Sequence, residues 1–589
     1  MSQCNPEDNF DICEKRRAIL DGDGHMLVIG GPGSGKTTIA LLKARRYVLE
    51  NLTAEQSVLF LSFSNAAIRR ILESAGGILK PDIANRVDIK TYHSFAWEVL
   101  KSHGYLTSKK RRLSIVSAQD AAVREAGLKK DLWLAEQQRM YIEDGLVTYD
   151  QFAPRAAEIL NRSDAVRACF NTAYPLILVD EFQDTDEAQW ALIRALSSGS
   201  SIIALGDREQ RIYEWRDGVS EHRLSEFGDE LNAPVFDFQN ENNRSPATGI
   251  VGYARSLLSP DVMQKLPDDI ERRAFKPGMF SVGVRLCVIR TWNETKKRIK
   301  TGKNDIKIAV AARSKKMVRK ISDVLANPIV IKDKEHKPIP HDVLFDQMQI
   351  VLAARVIANV MGSSQLSIDQ RVSQCLCRIA DMLRAANNAT NIKNSDILQN
   401  WAQKCDDGKN PKTKCVTALV GVIEKLENDG FLGSPTKDWL MVRKAFERAG
   451  VDHLAKTAEF ARYLRLLRRG SLIEEELTSL WRTSGNYVGA EVALDRAILQ
   501  DQLLDSSKES ASISVMNMHQ LKGREYDGVL LVEDQYQNFR GRDSKPPYME
   551  TRRLLQVSLT RAKHYALVLS ATKNATLDVI FDNLGSNVR

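Results

Sequence analysis

MLVIGGPGSGKTTIALLKAR (residues 26–45) decides the fold. Residues 26–30 are an apolar run that ends in glycine, and a helical pattern begins at Thr37. Residues 30–37 fit G-x-x-x-x-G-K-[ST]. Strand, glycine-rich loop and helix in that order point backbone N–H groups at a phosphate held on the helix N-terminus. Gly31, Gly33, Ser34 and Gly35 form the cradle, with Thr38 at its far edge. Lys36 is placed for the terminal phosphates and the Thr37 hydroxyl for Mg²⁺. The expected ligands are ATP and Mg²⁺.

Working outward, residues 57–63, 175–180 and 201–206 are short apolar runs followed by polar residues. That is the pattern of buried parallel strands. Residues 102–171 are charged and helical, as an insertion would be. A second set of strands is expected at 284–290, 306–312, 512–517, 528–533 and 565–570. Helical periodicity dominates between 345 and 505. The fold class is therefore α/β, with two parallel-sheet domains, each carrying a mostly helical insertion. The first domain is expected from 1–101 and 172–238, around an insertion at 102–171. The second is expected from 239–364 and 506–589, around an insertion at 365–505.

The run at 176–180 ends in Asp180, and Glu181 follows. A carboxylate at a strand end can join the Mg²⁺ shell. Its neighbour is then placed to orient or deprotonate an attacking water.

The chain has 589 residues, 43% hydrophobic and 27% charged, with a net charge of +9. No apolar run approaches the roughly 18 residues that span a bilayer, and no signal peptide is visible. A cytoplasmic protein without a membrane partner is expected. Local basic clusters at 109–112, 296–298 and 468–469 favour a polyanionic partner. Of the eight cysteines, Cys375, Cys377, Cys405 and Cys415 lack usual zinc spacing.

Further motifs stand in a fixed order. They are Thr91-Tyr-His93-Ser-Phe95, Asp180-Glu-Phe-Gln-Asp-Thr185, Gly206-Asp207-Arg-Glu-Gln210-Arg-Ile212-Tyr213-Glu-Trp215-Arg216, Asn242-Asn-Arg244-Ser, His519-Gln-Leu-Lys522-Gly523-Arg-Glu525-Tyr and Val557-Ser-Leu-Thr560-Arg561-Ala562. With the phosphate loop, this set resembles the UvrD/Rep-like superfamily 1 DNA helicases over nearly the whole chain. The resemblance implies two RecA-like domains with ATP in the cleft between them. The first would supply Lys36, Thr37, Asp180, Glu181 and Gln210. The second would supply Arg244 and Arg561 to the terminal phosphate and Glu525 to the ribose. It also implies a single-strand track from Phe63, His93, Phe95, Tyr213, Trp215, Arg216 and His519, with rings for bases and cations for phosphates.

The implied activity is ATP-driven movement on single-stranded DNA or a single/double-strand junction, 3′ to 5′. One alternative is a DNA-stimulated ATPase subunit of a defence or repair complex beside a separate nuclease. Another, from a different class, is a signalling or scaffold NTPase that does not translocate. Three positions depart from the family on the base side: Lys15 for a glutamine, Thr38 for an arginine and Asn243 for a tyrosine. Base selectivity weaker than the family norm, or supplied by other residues, is the expectation there. A duplex-gripping T-P-x-R-G-I-G segment is also missing from the second insertion.

Overall fold

A computed structural model describes residues 12–63, 65–211, 218–239, 248–259, 265–276, 278–299, 306–331, 334–344, 348–409, 411–462, 472–504, 511–534, 539–540, 543, 546–572 and 580–581. The chain divides into two compact units. One comprises Met1–Leu106, Phe152–Phe345 and Lys508–Arg589, the other Thr107–Gln151 and Asp346–Ser507.

The first unit holds two six-stranded sheets. The strands of the first are β1 (Met26–Gly30), β2 (Val58–Ser62), β3 (Val87–Thr91), β4 (Leu176–Val179), β5 (Ser201–Gly206) and β6 (Val235–Phe238). They are parallel, in the order β3-β2-β4-β5-β1-β6. β1, β2 and β4 are buried at every residue, because helices cover both faces of a parallel sheet. The strands of the second are β7 (Ile270–Phe275), β8 (Ile308–Ala312), β9 (Asp342–Val343), β10 (Ile513–Asn517), β11 (Tyr526–Val532) and β12 (Ala562–Ala571). They too are parallel, in the order β9-β10-β8-β11-β12-β7.

The helices that matter for function are α1 (Glu14–Asp21), α2 (Lys36–Glu50), α3 (Asn65–Ala75), α4 (Tyr92–His103), α5 (Ile250–Ser256), α6 (Phe280–Arg298) and α7 (Met549–Leu559). α2 packs Ile39, Leu42 and Val48 into one core with Met26, Val28, Phe60, Leu178 and Ile203 from the sheet. α5 and α7 cover one face of the second sheet, and α6 covers the other.

The strand expected at 284–290 is a correction. Those residues lie inside α6, where Val284, Cys287, Val288, Thr291 and Thr295 are buried. That spacing is one helical face, and the β-branched composition imitates a strand. Arg285 is buried there too. It donates from Nε to the carbonyl of Val324 at 3.0 Å and from Nη1 to that of Lys337 at 2.8 Å.

The second unit is helical, apart from a two-stranded pairing of residues 114–115 with 146–147. Its centre is the helix Met348–Gly362, buried from Ile350 to Met361. Arg355 on that helix ties the unit's two chain segments together. Its guanidinium meets Asp120 at 2.7 Å and Asp495 at 2.8 Å. Residues 152–171, expected within the first insertion, lie instead in the first unit. There Phe152–Arg162 packs on α4 and on the helix Glu187–Leu196. No described helix is long and apolar enough to cross a membrane.

Candidate active site

The phosphate loop leaves the carboxyl end of β1, an interior strand, where open parallel sheets hold ligands. Gly33 at φ 80° and Gly35 at φ 89° turn the loop through left-handed conformations. A Cβ on Gly30 would crowd the Ser34 hydroxyl, so the Ser34 side chain would have to shift to admit it. The loop closes against the second lobe as well, where a Cβ on Gly31 would lie 2.3 Å from Nη2 of Arg255 on α5. Ser34 is 2% exposed, and its Oγ is buried without a hydrogen-bond partner among the described residues. A phosphate oxygen satisfies such a group.

β4 and β5 end beside the loop and deliver Asp180 and Asp207. Asp180 is 3% exposed, and its backbone N–H donates to Leu61 at 2.9 Å. Glu181 stands in the left-handed region at φ 52° and ψ 39°. Such strain in a non-glycine residue persists only where the surroundings impose it, typically at functional positions. Burial pushes the carboxyl of Asp180 up, and the neighbouring Glu181 adds to this. Burial acts the same way on Glu181, but Lys522, Arg70, Lys36 and Arg561 outweigh it and hold that carboxyl low, at about 2. Glu181 is thus a carboxylate throughout the neutral range.

From Glu181 a buried polar chain runs to the second lobe. Gln183 Nε2 donates to Glu181 Oε2 at 2.6 Å, and Gln183 Oε1 accepts from the Asp207 N–H at 3.0 Å. Gln210 Nε2 donates to Asp207 Oδ2 at 2.5 Å. Arg561, carried past the end of α7, donates from Nη2 to Gln210 Oε1 at 2.5 Å. Lys522, just past β10, crosses beside it. Its Nζ donates to the Gln210 carbonyl at 2.5 Å, pairs with Asp184 and lies 3.9 Å from Glu181. Lys522 and Asp184 carried no role in the sequence reading. Only the folded arrangement puts them opposite each other.

One cavity of about 970 Å³ gathers Gly31, Gly33, Ser34, Gly35, Lys36, Thr37, Thr38, Asp180, Glu181, Gln210, Glu525 and Arg561. Lys36 Nζ donates to the carbonyls of Gly30 and Gly31. Burial pulls its pKa down, while Asp207, Glu181 and Asp180 favour its charged form. Glu525 pairs with Lys563 at 3.2 Å. The Thr37 and Asp180 side chains, from two residues that line the cavity, are the ligand types that would hold Mg²⁺, which takes few protein ligands and keeps its waters. When bound, that ion would neutralise charge on the phosphates.

Arg244 and Asn243 lie outside the described residues, as do Tyr213, Trp215 and Arg216. Lys15 is exposed and does not reach the cavity. Its neighbour Arg16 does, donating to the Ser34 carbonyl at 3.1 Å and lying over the Phe238 ring at 5.0 Å. The sequence pointed one residue away from it. Ile12, Cys13 and Leu42 extend the lining away from the phosphate loop.

Of the expected DNA contacts, His93 is exposed, while Phe63 and His519 are half-buried. Burial, with Arg313 and Lys522 nearby, pulls the His519 pKa down. Phe95 is a correction. It is fully buried, edge-on to Phe170 at 5.7 Å and Tyr174 at 6.1 Å, so it is core and offers no face to a base. Thr91 and Ser94 of the same motif form a capping box that starts α4.

The N-terminal domain model of the UvrD/REP helicases matches residues 13–145 and 132–230, and the UvrD-like helicase C-terminal domain model matches 444–574. A probable DNA helicase II homolog of Rickettsia conorii is 20% identical, covering 93% of this chain and 91% of its own length. DNA helicase II of Salmonella typhimurium is 21% identical, covering 93% and 82%. The ATP-dependent DNA helicase PcrA of Bacillus subtilis is 24% identical over 39% of this chain and 37% of its own. The two parallel-sheet lobes, the shared cavity and the two matched domains lead to one conclusion: this chain belongs to the UvrD/Rep-like superfamily 1 helicases.

Proposed function

We propose that the chain is an ATP-dependent DNA motor that hydrolyses Mg²⁺·ATP between its two lobes and moves 3′ to 5′ along single-stranded DNA. The observation that carries this reading is the contact of Arg561, from the second lobe, with Gln210 beside the hydrolysis site. A guanidinium supplied from across the cleft makes hydrolysis depend on closure. Closure and reopening then displace one lobe against the other. In this mechanism Lys36 binds the terminal phosphates and Glu181, a carboxylate at neutral pH, takes a proton from the attacking water. Gln183 fixes the orientation of Glu181 by its hydrogen bond. Arg561 stabilises charge that develops on the transferred phosphoryl, and Glu525 meets the ribose.

The test is ATP turnover with and without single-stranded DNA, followed by unwinding of duplexes with 3′ or 5′ tails. DNA stimulates turnover, and the 3′-tailed duplex is the one opened. Lys36→Ala abolishes turnover, and Glu181→Gln lowers it by about 10²–10⁴-fold while nucleotide stays bound. Turnover indifferent to DNA points instead to an NTPase switch.

A further inference from the structure

α3 presents two faces. Ala67, Ile71 and Ala75, spaced by four, are buried against the first sheet. Arg70, Glu73 and Ser74, the adjacent stripe, line the nucleotide cavity. Arg70 stands opposite Asp180, with Nη2 3.4 Å from Oδ2. That is its one hydrogen bond among the described residues. The side chain is 18% exposed. A guanidinium has five N–H donors in a planar fork. One long contact uses little of that capacity, in a side chain that lines the cavity.

Charge explains why the arginine is there. Asp180 and Glu181 are adjacent buried carboxylates, and paired charge is what makes such burial tolerable. Lys36 supplies part of it, and Arg70 acts on both carboxylates. Mg²⁺ would bring its own charge to Asp180, and a phosphate offers the bidentate geometry that Asp180 does not give Arg70.

We propose that Arg70 is a phosphate-contacting cation supplied by the first lobe itself, held on Asp180 until Mg²⁺ claims that carboxylate and then turned onto the terminal phosphate. This rests on the ATP-hydrolysing reading of the cavity. It adds to Arg561 a cation whose position does not depend on closure, so nucleotide can be gripped in the open cleft.

The experiment uses the full chain and compares wild type, Arg70→Ala and Arg70→Lys. Affinities for AMP-PNP and ADP, both with Mg²⁺, are measured by calorimetry, and melting is followed with Mg²⁺ alone. Arg70→Ala weakens AMP-PNP by about tenfold to a hundredfold. It weakens ADP by no more than about threefold. Arg70→Lys falls between. Mg²⁺ alone raises the melting temperature of Arg70→Ala, where Asp180 is released, and raises that of wild type less. Unchanged AMP-PNP affinity, equal losses for AMP-PNP and ADP, or equal Mg²⁺ responses overturn the proposal. Arg70 lies off the packed face of α3, and ligand-free melting checks folding. Lys36→Ala separates the two readings: if it binds and turns over ATP like wild type, the hydrolytic site itself is misassigned, whatever Arg70 does.

Discussion

At the scale of the residue, the cross-lobe pair Arg561–Gln210 is the contact with the largest expected kinetic consequence. Arg561 is 1% exposed, with Nε also donating to the Val557 carbonyl at 3.0 Å. Arg561→Ala lowers kcat by about 10³-fold or more and changes KM far less, because the arginine acts on developing charge. Steady-state kinetics read this, and a rise in KM at constant kcat contradicts it. Asp184 supplies a pH dependence. Burial, reinforced by Glu181, pushes its carboxyl up to about 6 despite the Lys522 partner. Above that pH it is ionised and holds Lys522; as pH falls through about 6 it takes up a proton and the link weakens. ATP turnover therefore declines on the acid side of about 6 in wild type. In Asp184→Asn, turnover is low at every pH and that inflection is gone; an unchanged inflection assigns it elsewhere. Sequence alone made the phosphate loop, Asp180 and Glu181 legible, because each stands next to a strand whose apolar run announces it. Arg70 and Arg16 were not legible, since it is a helix face, not a motif, that brings each to the cavity.

At the scale of the element, the fully buried strands were readable, and the edges were not. β3 (VDIKT), β6 (VFDF) and β7 (IERRAF) all flank their sheets. An edge strand is covered less and carries charge, so it breaks the continuous apolar pattern of a central parallel strand. α6 failed in the opposite sense, with strand-like composition on a helical period. The T-x-H-S-F motif divides by element too: Thr91 and Ser94 start α4, His93 is exposed, and Phe95 enters the core. Phe95→Ala should cost about 3–5 kcal/mol of unfolding free energy. Per folded molecule, DNA affinity stays unchanged. Chemical denaturation and DNA titration check the two halves separately, and a selective loss of DNA binding would restore the stacking role.

At the scale of the whole molecule, a net charge of +9 on 589 residues is modest, so DNA affinity depends on local cation placement. The logarithm of the association constant should fall linearly with the logarithm of salt concentration, with a slope of about −0.7 per phosphate neutralised on a single strand. Filter binding across a salt series reads the slope, and a flat line removes DNA as the polyanionic partner. In the second sheet β8 pairs with β10 and β11, which lie beyond the helical segment that ends near residue 507. Lys522 and Glu525 lie between these two strands, and Arg561 immediately precedes β12. During translation the ribosome thus releases Lys36, Asp180, Glu181 and Gln210 long before their counterparts. A nascent chain holds the phosphate loop and the two carboxylates beside it well before it holds the arginine that faces them.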